Sequence, residues 1–148
     1  MMHDGAEVQV KRARPGDEDE VARFGAAFDY GVLPDETGRF LADERHLLLL
    51  GYVDGHPAGF VSAVEVFHPD KRSELFLNEV SVIEGLRRRG MAHALIEEIK
   101  RLGRDRGCVS MWVLTDGDNV PAIGLYRGTG GRWDGDRQVM FEYALADE

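Results

Sequence analysis

Val80-Ser81-Val82-Ile83-Glu84-Gly85-Leu86-Arg87-Arg88-Arg89-Gly90-Met91-Ala92 is the stretch on which the reading of this chain turns. Val80-x-Val82 closes an alternating, strand-like run. A short basic loop follows, and Gly90-Met91-Ala92 opens a helix with small residues. The first turn of a helix leaves backbone N–H groups unpaired and carries partial positive charge. Gly90 and Ala92 let a ligand approach that backbone closely, and Arg87 to Arg89 add three cations. The pattern is a seat for a pyrophosphate. Taken by itself it is equally an Arg-rich, solvated helix start. It is not a P-loop, because no Gly-Lys-Ser/Thr follows, and it is not the dinucleotide fingerprint G-x-G-x-x-G.

Working outward, Glu74-Leu75-Phe76-Leu77-Asn78-Glu79-Val80-Ser81-Val82 reads as a strand, with Val80 and Val82 on one face and Glu79 and Ser81 on the other. Gly90 to Arg106 reads as a helix whose apolar face is Met91, Leu95, Ile96, Ile99 and Leu102, stopped by Gly107. Upstream, Val8 to Ala13 is a first strand. Asp17 to Phe28 is a helix that starts acidic, and a second helix starts at Pro34-Asp35-Glu36. Leu47 to Val53 and Ala58 to Val66 flank Asp54-Gly55, the strongest short hairpin signal. Downstream, Val109 to Leu114 is a strand and Val120 to Tyr126 a short helix. Arg132-Trp133 and Gln138 to Leu145 are strands around Asp134-Gly135-Asp136. The ends, Met1 to Gly5 and Ala146 to Glu148, are expected to fray. Strand-helix-strand order in the second half implies a parallel pairing, so the fold class is a mixed α/β sheet.

The 148 residues fit one domain, 1–148. One Cys excludes an intrachain disulfide framework. Eighteen Lys and Arg against 27 Asp and Glu give a formal charge of −9, which argues against nucleic-acid binding and suits a cationic small-molecule partner. No apolar run approaches the roughly 20 residues of a membrane span. The N-terminus lacks the regions of a signal peptide, so a cytoplasmic location is expected. The five histidines show no ligand spacing, and no metal is expected. Cys108 reads as a small buried residue, and Trp112 and Trp133 as core.

Arg87-x-x-Gly90-x-Ala92 after Val80-x-Val82 resembles the acyl-CoA-binding signature of the GNAT-type N-acetyltransferases, Q/R-x-x-G-x-G/A. The later strand, Asn119, short helix, Leu125-Tyr126 and glycines resemble that superfamily's second signature. Within it, His68 to Val82, Asp116 to Tyr126 and Val139-Met140 look most like the gentamicin-type aminoglycoside 3-N-acetyltransferases. Glu79 stands where that group has Asp, and the tail after Met140 differs. The resemblance implies a GNAT-like, mostly antiparallel sheet with a central parallel pair splayed at the acetyl-CoA site, flanked by about four helices. It implies an acetyl-CoA-dependent N-acetyltransferase acting on an aminoglycoside amine, which is antibiotic resistance, with acetyl-CoA as cosubstrate. A homodimer is a further possibility, with the last strands the place to look.

Acetyl transfer from a thioester to an amine needs the CoA held, the thioester oxygen polarised, the amine deprotonated and the thiolate protonated. The resemblance carries these roles onto named positions. Backbone amides of Arg88, Arg89, Gly90, Met91 and Ala92 would hold the pyrophosphate, with Arg87 assisting. The strand at Val80 and Val82 would present a free N–H to the acetyl carbonyl through a splay or bulge. Glu79 is the candidate base, its rival reading a cross-strand surface pair. Asp116 and Asp118 are second candidates, readable also as an Asp-rich turn or as a grip on the cationic acceptor. Tyr126 resembles the general acid. Asn119 is a helix cap that also meets the pantetheine arm. Asp35, Glu36, Glu79, Asp116, Asp118 and Glu142 are the acidic residues available to an acceptor. The competing functions are acetylation of a polyamine or of a protein or peptide amine, and a non-enzymatic acyl-CoA sensor.

Overall fold

The computed structural model describes residues 2–3, 6–87 and 90–146; burial and side chains are described for 7–87 and 90–146. Its elements run β1 (Met2–His3), β2 (Ala6–Arg12), α1 (Glu18–Ala22), α2 (Pro34–Ala42), β3 (His46–Val53), β4 (His56–Val66), β5 (Glu74–Val82), α3 (Met91–Asp105), β6 (Met111–Trp112) and α4 (Val120–Gly128). The residues group into two compact units, Met1–Leu114 and Thr115–Glu148.

The first unit holds one sheet in the order β1-β2-β3-β4-β5-β6. Every neighbouring pair is antiparallel except β5 and β6, which run parallel. The sheet is therefore the mixed, mostly antiparallel one expected. The β3–β4 hairpin turns on Asp54 and Gly55, at φ 50° and 80°. Two consecutive positive φ values are what a two-residue type I′ turn demands, and Asp-Gly is one of the pairs that favour it. The segment Met2–His3, expected to fray, instead folds back onto Glu7 and Ala6.

α3 buries Met91, Leu95, Ile96, Ile99 and Gly103. At Gly103 a Cβ would come within 3.1 Å of Leu75 Cδ2, so the helix lies close against β5 there. On the opposite face, Val21, Phe24, Ala27 and Leu41 from the α1–α2 region pack on Leu48, Leu50, Tyr52 and Phe60. Here the expected helix from Asp17 to Phe28 is shorter: α1 ends at Ala22 and a 3-10 turn, Gly25–Ala27, follows.

β5 carries an irregularity that organises everything after it. Ala63 pairs with Leu77 but Ser62 pairs with Glu79, so Asn78 is an extra, bulged residue. A bulge inverts the alternation of a strand. Before it, Leu75 and Leu77 share the α3 face; after it, Val80 and Val82 take that face and Glu79 and Ser81 turn to the α1–α2 face. The parallel ladder covers only Leu75↔Met111 and Phe76↔Trp112. β6 is thus shorter than the Val109–Leu114 strand expected, since only Met111 and Trp112 find ladder partners on β5.

In the second unit, α4 forms as expected. The strands expected at Arg132-Trp133 and Gln138–Leu145 do not: no regular element follows Gly128 among the described residues, and Val139, Met140, Phe141, Tyr143 and Leu145 are 77–96% exposed. An alternating pattern equips a segment for one face of a sheet but supplies no partner, and an unpaired strand leaves its backbone groups to water. The tryptophans are not core either. Trp112 is 42% exposed with its ring against Phe76, and Trp133 is 47% exposed with the Arg127 guanidinium over its ring.

Candidate functional site

The site residues read from the sequence fall in both units, and each group has its own geometry. In the first unit they lie where β5 leaves β6. Ile83 N–H donates to the Ala58 carbonyl at 2.7 Å. Antiparallel alternation from that bond turns the backbone groups of Ser81 and Glu79 toward β4, and those of Val80 and Val82 away from it. β6 has already stopped at Trp112, so the Val80 and Val82 amides face an open edge. The Val82 carbonyl on that edge accepts from Arg87 Nε at 3.1 Å. Arg87 is thereby tied to the strand.

Gly90 sits before α3 with φ 78°, a left-handed conformation that glycine adopts without strain. Ala94 N–H returns to the Gly90 carbonyl at 3.0 Å. The amides of Met91, Ala92 and His93 are therefore the first-turn donors without a helical acceptor. The Met91 side chain is buried, its sulfur 2.2 Å from where a Cβ on Gly51 would lie. Only the Met91 backbone is available to a ligand, and Gly51 is what lets the helix end settle on β3. Arg88 and Arg89 lie outside the described residues. The donor set at Met91, Ala92 and His93, with the open-edge amides of Val80 and Val82, fits a ligand carrying a phosphate group at one end and a carbonyl at the other.

Glu79 is half-buried on the α1–α2 face. Burial pushes its carboxyl up from the ordinary value, and the nearby negative charge of Asp29 adds to the rise. Asp35 and Glu36 occupy the first turn of α2, exposed, with Glu36 3.9 Å from Arg39. That is their ordinary place beside a helix N-terminus.

In the second unit, Asn119 caps α4: its Oδ1 accepts from Ala122 N–H at 3.2 Å. Asp116 and Asp118 are exposed in the turn before it, their carbonyls accepting from Asn119 and Val120. Tyr126 is half-buried on α4, and burial pushes its hydroxyl up. Glu142 lies in the exposed tail.

Cys108 is partly buried rather than core, within 3.8 Å of the Ser73 hydroxyl, and burial is the main cause of its raised thiol. The resemblance implied a splay or bulge at this strand, and three details escaped the sequence reading: the bulge's place at Asn78, the negative charge of Asp29 acting on Glu79, and the Ser81 hydroxyl, which donates to the Ala27 carbonyl at 2.7 Å. Asn in mid-strand was the one local signal for the first. The others are contacts between segments about 50 residues apart.

The geometry agrees with what the chain resembles in other proteins. Streptothricin acetyltransferase of Streptomyces lavendulae is 30% identical over 89 residues, which is 60% of this chain and 45% of that protein, so the chain spans less than half of that relative. The structure of an aminoglycoside acetyltransferase from an uncultured soil metagenomic sample is 28% identical, with a TM-score of 0.79 over 95% of this chain and 99% of that one. The fold is also that of the aminoglycoside N-acetyltransferase AAC(6')-Iy in complex with CoA: 19% identity, TM-score 0.77, 99% of this chain and 100% of that one. Residues 15–130, most of the chain and all of its bulged strand and glycine-opened helix, match the Acetyltransferase (GNAT) family. A strand with an open edge running into a helix opened by a left-handed glycine is the feature this match covers, and the chain belongs to that family.

Proposed function

We propose that this protein is an acetyl-CoA-dependent N-acetyltransferase whose acceptor is an amine of a cationic small molecule, an aminoglycoside. The observation that supports the reading is the edge of β5 past the bulge at Asn78, where no β6 residue pairs with Val80 or Val82. Acetyl-CoA supplies an activated acyl group on a thioester. The residues around it have separable tasks. The α3 amides of Met91 and Ala92 hold the pyrophosphate beside Gly90, with Arg87 and the loop residues Arg88 and Arg89 adding charge. The Val80 and Val82 edge stabilises the charge that develops on the acyl oxygen. Glu79, whose raised carboxyl brings it nearer neutral pH, takes the proton from the amine. Tyr126 protonates the departing thiolate, and Asn119 meets the pantetheine arm. Asp116 and Asp118, with Asp35, Glu36 and Glu142, hold the acceptor's other ammonium groups.

On this reading residues 1–148 work as one acyltransferase domain, in the cytoplasm, as a homodimer. Resistance to an antibiotic is its role, and 3-N is the position modified. The acidic composition equally suits a polyamine or a peptide amine as acceptor, so the test compares them. Purified protein is assayed for thiol release from acetyl-CoA with gentamicin, spermidine and a peptide panel, and the gentamicin product is mapped by NMR. Efficient turnover of gentamicin at its 3-amine is expected. Turnover of spermidine or a peptide with none of gentamicin overturns the acceptor, and acetyl-CoA binding with no turnover of any amine leaves the sensor reading.

A further inference from the structure

On the α1–α2 face of the sheet, Leu48, Ser62 and Glu79 stand in one row across β3, β4 and β5: Leu48 pairs with Ser62, and Ser62 with Glu79. The next row settles which face this is. There Phe60, packed into the α1–α2 core, pairs with Ser81, whose hydroxyl donates to the Ala27 carbonyl at 2.7 Å. Directly opposed residues on one face carry Cβ atoms about 4.5–5.5 Å apart. Ser62 is therefore the cross-strand neighbour of Glu79.

Its chemistry sets Ser62 apart from its surroundings. Leu48 beside it is 4% exposed, Phe60 two positions before it is 0% exposed, and Ser62 itself is 6% exposed. Burying a hydroxyl in such a place costs free energy unless it is hydrogen-bonded. Among the described residues no protein group bonds the Ser62 hydroxyl or the Glu79 carboxyl. Equally, none of them has a buried side-chain oxygen or nitrogen sealed off without a partner. Both statements hold only if the Ser62 oxygen keeps an opening to solvent, and the polar side chain paired with it is Glu79.

We infer that Ser62 is a positioning residue for the proton transfer: its hydroxyl and the Glu79 carboxylate hold one water between them, and that water carries the proton away from the acceptor amine. The inference rests on the acetyltransferase reading with Glu79 as base, and deepens it. The water accepts the Ser62 O–H with one lone pair and the amine N–H with the other, and donates one of its own hydrogens to Glu79. The amine nitrogen bonds to the acetyl carbon, its proton passes to the water oxygen, and a proton of the water passes to the carboxylate. The C–S bond then breaks and the thiolate leaves. Ser62 keeps its proton throughout. β4 lies inside the sheet, so the hydroxyl is held by a strand paired on both sides. The groups that face Glu79 are Ser62 from β4 and Ser81 from its own strand, both uncharged; Asp29 is the charged residue that acts on it, raising its carboxyl.

The test is steady-state kinetics of Ser62→Ala, Ser62→Thr, Glu79→Gln and Ser62→Ala combined with Glu79→Gln, with gentamicin and spermidine as acceptors, beside unfolding by calorimetry. For Ser62→Ala we expect kcat to fall roughly tenfold, the effect of one lost bond at a charged group. Both KM values should hold, and Tm should stay at or above wild type because a buried polar group is removed. The acid limb of the kcat profile should move to higher pH: a hydrogen bond to the charged form holds a carboxyl down, and its loss lets the carboxyl rise. Ser62→Thr keeps the hydroxyl and should restore both kcat and the limb. In the Glu79→Gln background Ser62→Ala should cost nothing further, since both act on one proton. If Ser62→Thr does not fold, the Ala and double variants decide. An unmoved kcat and limb in Ser62→Ala, while Glu79→Gln slows turnover, overturn this assignment alone. A loss that repeats in full in the Glu79→Gln background, or that comes with a lower Tm and a raised acetyl-CoA KM, makes the hydroxyl structural and overturns it as well. Normal turnover in Glu79→Gln overturns the base beneath it, and turnover of neither acceptor overturns the acetyltransferase reading.

Discussion

Gly59→Ala tests the architecture on which the site depends. Gly59 lies on β4 opposite Val82, and a Cβ there would stand 2.4 Å from the Ser81 carbonyl oxygen and 3.0 Å from the Val82 Cα. Ordinary carbon contacts run about 3.5–4.0 Å, so relief needs a displacement of about 1 Å. The obstacle is backbone, which cannot rotate away, and the strand that must move carries the Val82 amide. Overpacking of this kind costs about 1–3 kcal/mol. For a chain of this length a loss of about 2 kcal/mol lowers Tm by about 4–8 °C. A misplacement of about 1 Å at the reacting centre costs on the order of 10² in rate. The expected result is a folded variant with a lower Tm and a disproportionate fall in kcat, read by calorimetry and the thiol-release assay. Gly124→Ala in α4, where nothing lies within 4 Å, should hold or raise Tm. If Gly59→Ala keeps the wild-type Tm and kcat, the tight β4–β5 approach at Val82 is not what positions the edge, and the reasoning fails.

Further predictions concern separate elements. Gly90→Val forces a β-branched residue into φ 78°, and it should abolish acetyl-CoA binding by titration calorimetry while circular dichroism remains native; retained affinity would remove the α3 N-terminus from the cofactor seat. Glu79→Gln should lower turnover by roughly 10² or more with acetyl-CoA affinity intact, and its pH–rate profile should lose the acid limb. Arg106→Met strips the buried Glu65 of its 2.9 Å ion pair and should cost about 3–5 kcal/mol at pH 7 in denaturant unfolding. Burial pushes the Glu65 carboxyl up, but bonds from Ser73 and Arg106 outweigh it and hold the group below the ordinary range. Its stabilisation is therefore present above about pH 4.3 and lost as pH falls through the folded value, so the gap between wild type and variant should close in acid. Asp116→Asn with Asp118→Asn should raise the acceptor KM and flatten its salt dependence, leaving the acetyl-CoA KM alone; an unchanged KM would move the grip to Asp35/Glu36 or Glu142.

Local chemistry made much of this protein legible. Asp54-Gly55 specifies a two-residue turn with positive φ at both positions, the period of Met91, Leu95, Ile96 and Ile99 specifies the face of α3, and Asn119 before Val120-Pro121 specifies a cap. Gly90 declares its left-handed backbone by having no side chain. These are short-range effects, written in residues that touch one another. The tail shows the limit of such reading: Gln138 to Leu145 alternates as a strand does, yet alternation provides a face and not a partner, and no strand forms. The extra residue at Asn78 is likewise invisible in composition, because a bulge is a mismatch between two strands and neither strand alone contains it. That single insertion decides that Glu79 leaves the face of Leu77 and that Val80 and Val82 turn their amides away from β4. Ser81 reaches the Ala27 carbonyl across 54 residues of chain, with Phe28 stacked on Phe60 beside it. Register and long-range contact are properties of pairs, and only the folded chain brings the pairs together.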